Sequence, residues 1–356
     1  MDRKISEILI LFVLSIATIG CVKDKPTGTV VVSSTGNVYI VCEGNMGNGD
    51  GSLYNYNTTT DSASGDLFGS ANNVPLGDVF QSMTGIGDSL FLCVNNSDKI
   101  VVLDVTTKKI AGTISILKPR YIVAVNKSLA YVSTLYSNKV YAIDPTTLEV
   151  KGAIEMPYNN SEGMLLQGGT LWICNWDTSC TSITGIDALT GQKTRTISIG
   201  KYAPHAILAD KEGLLWVMSG NAAKGRSAAL SRIDPSTGLV VRQMDFAGIS
   251  DPVKPVFNRT KDTIWFIQVK YDGSDADNGI YRMSIYDTML PIAPLIKASK
   301  YQYYWALGIH PANGSVYVGD PKGFVQKGQV SIYNTAGDLQ KTFSVGVGPG
   351  QFYFDR

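Results

Sequence analysis

Leu171-Trp172-Ile173-Cys174, then a loop, then Gly185-Ile186-Asp187-Ala188-Leu189-Thr190: this stretch decides how the chain is read. Its first part is a short β-rich run with an aromatic second residue, and its second part is a strand that ends in Asp and a Thr-containing turn. The run returns as Val38-Tyr39-Ile40-Val41, Leu90-Phe91-Leu92-Cys93, Ala130-Tyr131-Val132-Ser133, Leu215-Trp216-Val217-Met218, Ile264-Trp265-Phe266-Ile267 and Val316-Tyr317-Val318-Gly319. The seven starts lie 52, 40, 41, 44, 49 and 52 residues apart, close to the length of a four-stranded blade. That repeat predicts an all-β fold, a seven-bladed β-propeller over residues 36–356.

The turn after the second strand recurs as Asp104-Val105-Thr106-Thr107, Asp144-Pro145-Thr146-Thr147 and Asp234-Pro235-Ser236-Thr237, with Asn57 and Asn334 in the first and seventh blades. A short carboxylate or amide there caps backbone amides two residues on, so these positions are structural. The sixth blade, around Ser284 to Asp287, is irregular. Six runs have a further strand before them, for example Gln81-Ser82-Met83-Thr84 and His205-Ala206-Ile207-Leu208, and the first run has none. Gln351-Phe352-Tyr353-Phe354-Asp355 has strand character and no run after it, so it is expected to pair into the first blade and close the ring. The seven aligned aromatics are expected between blades.

Of 356 residues, 44% are hydrophobic and 17% charged, and the net charge is +1, which describes a large core and excludes a protein held to nucleic acid by phosphate contacts. Two histidines, His205 and His310, fall in different blades and argue against a multi-histidine metal enzyme. Five cysteines are too few for a disulfide scaffold; Cys174 and Cys180 bracket one loop and are either bridged or free, while Cys42 and Cys93 read as small buried apolar residues. The stretch Asp272 to Gly279 resembles a calcium loop loosely but lacks its ligand order and distal Glu, and reads as a solvated turn. Residues 1–20, with Arg3 and Lys4 ahead of the apolar run Ile8 to Leu14, read as a lipoprotein signal peptide. Thr18-Ile19-Gly20-Cys21 resembles a lipobox, so Cys21 is the expected lipidation site and 21–35 a polar tether.

On one face of a propeller, the loops leading into the inner strands lie beside those after the second strands, and ligands usually bind there. Here these loops carry aromatics, amides and isolated charges. The candidate ligand residues are Phe80, Arg120, Tyr121, Tyr136, Trp176, Tyr202, His205, Tyr271, Tyr303, Tyr304, Trp305, Phe324 and Phe352. Three consecutive large aromatics at Tyr303-Tyr304-Trp305 cannot all enter the core. Flat aromatics with amide donors suit a large, rigid ligand with a polar rim. No catalytic residue, metal ligand or cofactor is assigned, and His310, beside Pro311, is read as structural.

The seven runs, the lipobox, Cys42 to Gly47, Asn95-Asn96-Ser97-Asp98-Lys99, Pro119-Arg120-Tyr121-Ile122 and Gly308-Ile309-His310-Pro311 together resemble the YVTN-repeat surface propeller lipoproteins of Bacteroidota, most of all the BtuG group that captures cobalamin. The resemblance implies a non-enzymatic protein, lipid-anchored at the outer membrane and facing the cell exterior, that passes vitamin B12 or related corrinoids to a BtuB-type TonB-dependent transporter. Related proteins serve transporters for ferric siderophores or glycans, and a divalent-cation-dependent lactonase or lyase is a further use of the scaffold. Arg120, Lys254, Lys270 and Lys322 are spread over different blades instead of clustering as an anionic siderophore would require, which leans to the neutral corrinoid.

Overall fold

A computed structural model describes residues 36–248, 250–270 and 277–355. The signal segment, Cys21, the tether, Tyr271 and most of the acidic loop lie outside the described residues. Each repeat folds as its alternation of apolar and polar residues requires, into an antiparallel four-stranded sheet, and seven such sheets form the propeller. The inner strands are Phe80–Ile86, Pro119–Asn126, Ser161–Gln167, Pro204–Ala209, Asp251–Phe257, Ala306–Ile309 and, for the first blade, Pro349–Phe354. The last of these pairs with Asn37–Cys42, placing Val38 opposite Phe354, Ile40 opposite Phe352 and Val41 opposite Gln351, so the ring is closed by the C-terminal strand as expected. Gly308 makes room for this strand, because a Cβ there would lie 2.9 Å from the Phe354 ring.

The aromatic of each run faces the next blade. Tyr39 packs with Phe80 and Leu92 of the second blade, Phe91 with Ile122 and Val132 of the third, and Tyr131 with Leu171 and Ile173 of the fourth. Trp172, Trp216 and Trp265 continue the series into the fifth, sixth and seventh blades. Tyr317 completes it against Val38 and Ile40 of the first, with the Phe352 and Phe354 rings 5.7 and 5.4 Å from its own. Seven apolar cores, one per blade boundary, therefore hold the ring through hydrophobic burial, and no single core spans it.

The turn residues act as read. Asp104, Asp144, Asp187 and Asp234 each accept hydrogen bonds from backbone amides two and three residues on, and the Thr and Ser of the turns hold these carboxyls below the usual carboxylate range. Asn57 and Asn334 cap their turns in the same way. In the sixth blade, Ser284 donates its N–H to Asp287 instead, at 2.8 Å. The longer first and last spacings also have causes. The outer strand of the first blade is only Ser62–Ala63, and a short helix, Leu67–Asn72, follows it, capped by the Asp66 carboxylate and burying Phe68 between blades. The sixth blade's outer strand is likewise reduced to Ile296–Lys297 after a long connection. All four described cysteines are free and buried, and burial pushes their thiols up.

Candidate functional site

Two backbone devices shape the face on which the inner strands begin. The residue just before the strand is left-handed in five blades: Val79 at φ 55°, Lys118 at 47°, Asn160 at 57°, Ala203 at 56° and Gly348 at 65°. Immediately afterwards the ladder slips. Phe80 pairs with Val94 but Ser82 with Cys93, which leaves Gln81 outside the register. The same kind of slip frees Arg120 and Tyr121, Glu162 and Gly163, His205, and Lys254 and Pro255. A bulge re-aims the side chain it carries. Five inner strands use one to free a polar residue from the ladder, right after the first strand residue in four of them and three residues in at Lys254.

Several of these side chains, carried by the inner strands that line the centre of the ring, meet one another across neighbouring blades. Arg120 donates its Nε to Glu162 Oε2 at 2.9 Å and an Nη to Glu162 Oε1 at 2.5 Å, while its other Nη reaches the Gln81 carbonyl. Gln81 in turn donates to the Tyr121 hydroxyl at 3.3 Å. Between neighbouring blades, Trp305 Nε1 of the seventh donates to Glu43 Oε1 of the first at 2.8 Å, and Lys254 Nζ of the sixth lies 5.4 Å from the centre of the Trp305 ring. The ring thus holds two carboxylates, a guanidinium and an ammonium, each with an opposite charge nearby.

Burial pushes the Glu43 carboxyl above its usual range, and Lys254, the Trp305 N–H and Arg120 only partly offset that. Burial also disfavours charge on Arg120, but Glu162 and Glu43 outweigh it and the guanidinium is held more firmly protonated than usual. Burial pushes the His205 imidazole pKa down, and two carbonyl oxygens pull against it: its Nε2 lies 3.2 Å from Pro252 O and its Nδ1 3.4 Å from Ala203 O. With carbonyl oxygens against both nitrogens, it is a positioned hydrogen-bonding group more than a base. Among the described residues, no three His, Cys, Asp or Glu side chains are grouped to hold a metal ion.

Glu43 makes a pH test available. A carboxyl whose folded pKa is raised above its unfolded value stabilises the fold below the unfolded value, and that contribution is lost as pH rises through the folded one. In Glu43→Gln the decline should flatten over that window, seen as a melting-temperature difference from wild type that grows as pH rises from about 4.5. Parallel curves for the two proteins would show that Glu43 does not carry the effect.

Beside the axis, the seventh blade opens a cavity of about 620 Å³ lined by Ser299 to Trp305, Asp320 to Phe324 and Gln326. Trp305 and Phe324 form its inner corner, their rings at 80° with centroids 5.7 Å apart. Tyr303, Trp305 and Phe324 from the sequence reading are therefore brought together, joined by Tyr301, which that reading missed. Tyr304 also borders the cavity but is 5% exposed and packs into the core between the sixth and seventh blades, where burial raises its hydroxyl pKa. The Tyr-Tyr-Trp cluster thus splits: Tyr304 is buried, Tyr303 is half-buried against the same core, and Trp305 meets Phe324 at the opening.

Two other expected ligand residues are corrected. Phe80 is fully buried against the first blade, and Phe352 is 7% exposed and packed on Tyr317, so neither presents its ring to a ligand. Arg120, Tyr121 and His205 reach the axis; Trp176 lies beside His205, its Nε1 donating to Gly220 O at 3.1 Å. Tyr202 and Tyr136 stand farther out, half-exposed and exposed respectively, with the Arg226 guanidinium 4.1 Å from the centre of the Tyr202 ring. Glu43, Gln81, Glu162 and Lys254 were not among the candidates, although each lies in or next to a loop that leads into or out of the face. Gln81 stands next to the chosen Phe80, whereas Glu43, Glu162 and Lys254 had no candidate within ten residues to point to them.

Closed by its own C-terminus and carrying an axial polar ring beside an aromatic cavity, the molecule is a seven-bladed β-propeller protein. The chain belongs to the family described as a domain of unknown function, DUF5074, whose model matches residues 36–354. No curated protein matches it. Among solved structures, a quinoprotein alcohol dehydrogenase-like protein from Bacteroides thetaiotaomicron is 15% identical with a TM-score of 0.66, covering 91% of this chain and 79% of that one. Hydrazine synthase from Kuenenia stuttgartiensis is 16% identical at a TM-score of 0.60, covering 76% and 88%. Apo AztD from Citrobacter koseri is 9% identical at 0.60, covering 89% and 96%. At such identities the likeness is one of fold.

Proposed function

We propose that the protein is a non-enzymatic, lipid-anchored capture protein of the outer membrane that holds cobalamin or a related corrinoid over the propeller axis and passes it to a TonB-dependent transporter. The observation that carries this reading is the state of the charges on the face. Three of the four cations that could attract an anionic siderophore already have carboxylates beside them: Arg120 pairs with Glu162, Lys254 faces Glu43, and Lys270 pairs with Asp277 at 2.9 Å. Apart from Lys300 and Lys322 at the seventh blade, what remains is amides, indole and phenol groups and an imidazole, which suits a broad ligand rimmed with neutral amides. The lipobox at Cys21 and the resemblance to surface propeller lipoproteins support the anchored, outward-facing placement.

Purified protein mixed with cyanocobalamin should carry the pink colour through a desalting column at micromolar concentration. Colour that leaves only with the small molecules would end the corrinoid reading and direct attention to siderophores. In cells, Cys21→Ala should move the protein from the membrane fraction to the soluble one, and external protease should digest the wild type; full protection in unbroken cells would end the surface placement.

A further inference from the structure

We infer that the cavity of the seventh blade is a subsite for a flat heteroaromatic ring linked to a phosphodiester; this rests on the corrinoid reading, in which that group is the ligand's nucleotide arm. The shape comes first. Trp305 and Phe324 meet nearly at a right angle, so a planar ring stacked on one presents its edge to the other, the two arrangements aromatic pairs prefer. Tyr301, 70% exposed, supplies a further face at the mouth. A volume of about 620 Å³ accommodates an appendage of a corrinoid and not its broad disc.

Charge points the same way. Lys300 and Lys322 stand at this cavity, the Lys300 ammonium 4.9 Å from the centre of the Tyr301 ring. The one carboxylate there, Asp320, is already engaged: Oδ1 accepts from Lys322 N at 2.8 Å and Oδ2 from Gln302 Nε2 at 2.8 Å. The excess charge is therefore positive, as a phosphodiester requires.

Tyr301, Lys322 and Phe324 hold left-handed φ values, 62°, 47° and 61°, the tight-turn conformation also used at Asp61, Lys108 and Leu148 elsewhere in the ring, and here it brings the Lys300 and Lys322 loops together around the cavity. Trp305 links the cavity to the axis through its hydrogen bond to Glu43, so a disc lying over the axis would place an arm here.

The test compares cobalamin with cobinamide, which lacks the nucleotide arm, by titration calorimetry on the full folded chain. Wild type should bind cobalamin about tenfold or more tightly than cobinamide, the size expected of one aromatic stack with a charge-assisted contact. That ratio should fall to near one in Phe324→Ala and, separately, in Lys300→Ala/Lys322→Ala, two substitutions at solvent-reached positions. Equal affinities in wild type, or a ratio unchanged in both variants, would overturn the subsite. The isolated dimethylbenzimidazole ribonucleotide separates the two claims. If neither corrinoid binds but this nucleotide does, the corrinoid reading fails and the subsite stands; if none of the three binds, both fail.

Discussion

A chain ending at Gly350 should lose its cooperative melting transition and aggregate at temperatures where the full chain is stable. Removing residues 351–356 strips the pairing of Val38 to Val41 on one edge and takes Phe352 and Phe354 out of the core against Tyr317. Deleting one buried Phe side chain costs about 3–5 kcal/mol. Exposing a row of backbone donors and acceptors adds to that, and also creates an edge that recruits other chains. The total is comparable with the ~5–15 kcal/mol by which domains are usually stable. Gln351 contributes a further tie, since its Oε1 accepts the Met83 N–H of the second blade at 2.7 Å. A truncated protein that melts at the wild-type temperature would mean that the ring holds without its closing strand.

The second large effect is expected at Arg120. Its side chain is 14% exposed and that of its partner Glu162 8%, so Arg120→Met leaves a carboxylate buried without a counter-charge. Breaking such a pair from one side costs about 3–5 kcal/mol, whereas replacing both members with apolar residues is often neutral. Arg120→Met should therefore lower the melting temperature sharply at pH 7, and Arg120→Met/Glu162→Leu should recover most of the loss. An Arg120→Met protein within about 0.5 kcal/mol of wild type, the range of ordinary surface changes, would show that the pair is not strongly coupled.

The frame of this protein is legible in its sequence because the repeat is local. Each run, each Asp-Thr turn and the orphaned C-terminal strand can be recognised within a few residues, and the aromatics from Tyr39 to Tyr317 behave alike because each meets the same kind of neighbour. The site was harder to read for a physical reason. In a strand, neighbouring residues point to opposite faces, so one extra residue in the ladder reverses which of them is buried. That is why Phe80 and Phe352 were chosen where Gln81 and Gln351 make contacts between inner strands. The charge pairs were equally hidden, since Arg120 and Glu162 lie 42 residues apart in sequence and join only when the blades are arranged in a circle. Helix Leu67–Asn72 left a different trace, an over-long spacing with no strand to fill it.

The bulged positions also bear on how such a protein diverges. The strand ladders pass over Gln81, Arg120, Glu162, His205 and Lys254, whose contacts are polar ones made near the start of the inner strands. Their identities can therefore drift without repacking a blade boundary, provided a buried charge and its partner change together. The side chains at this handful of addresses could change while every blade kept its neighbours. A scaffold built this way accommodates very different sequences in one shape, as TM-scores of 0.60 to 0.66 at 9% to 16% identity illustrate.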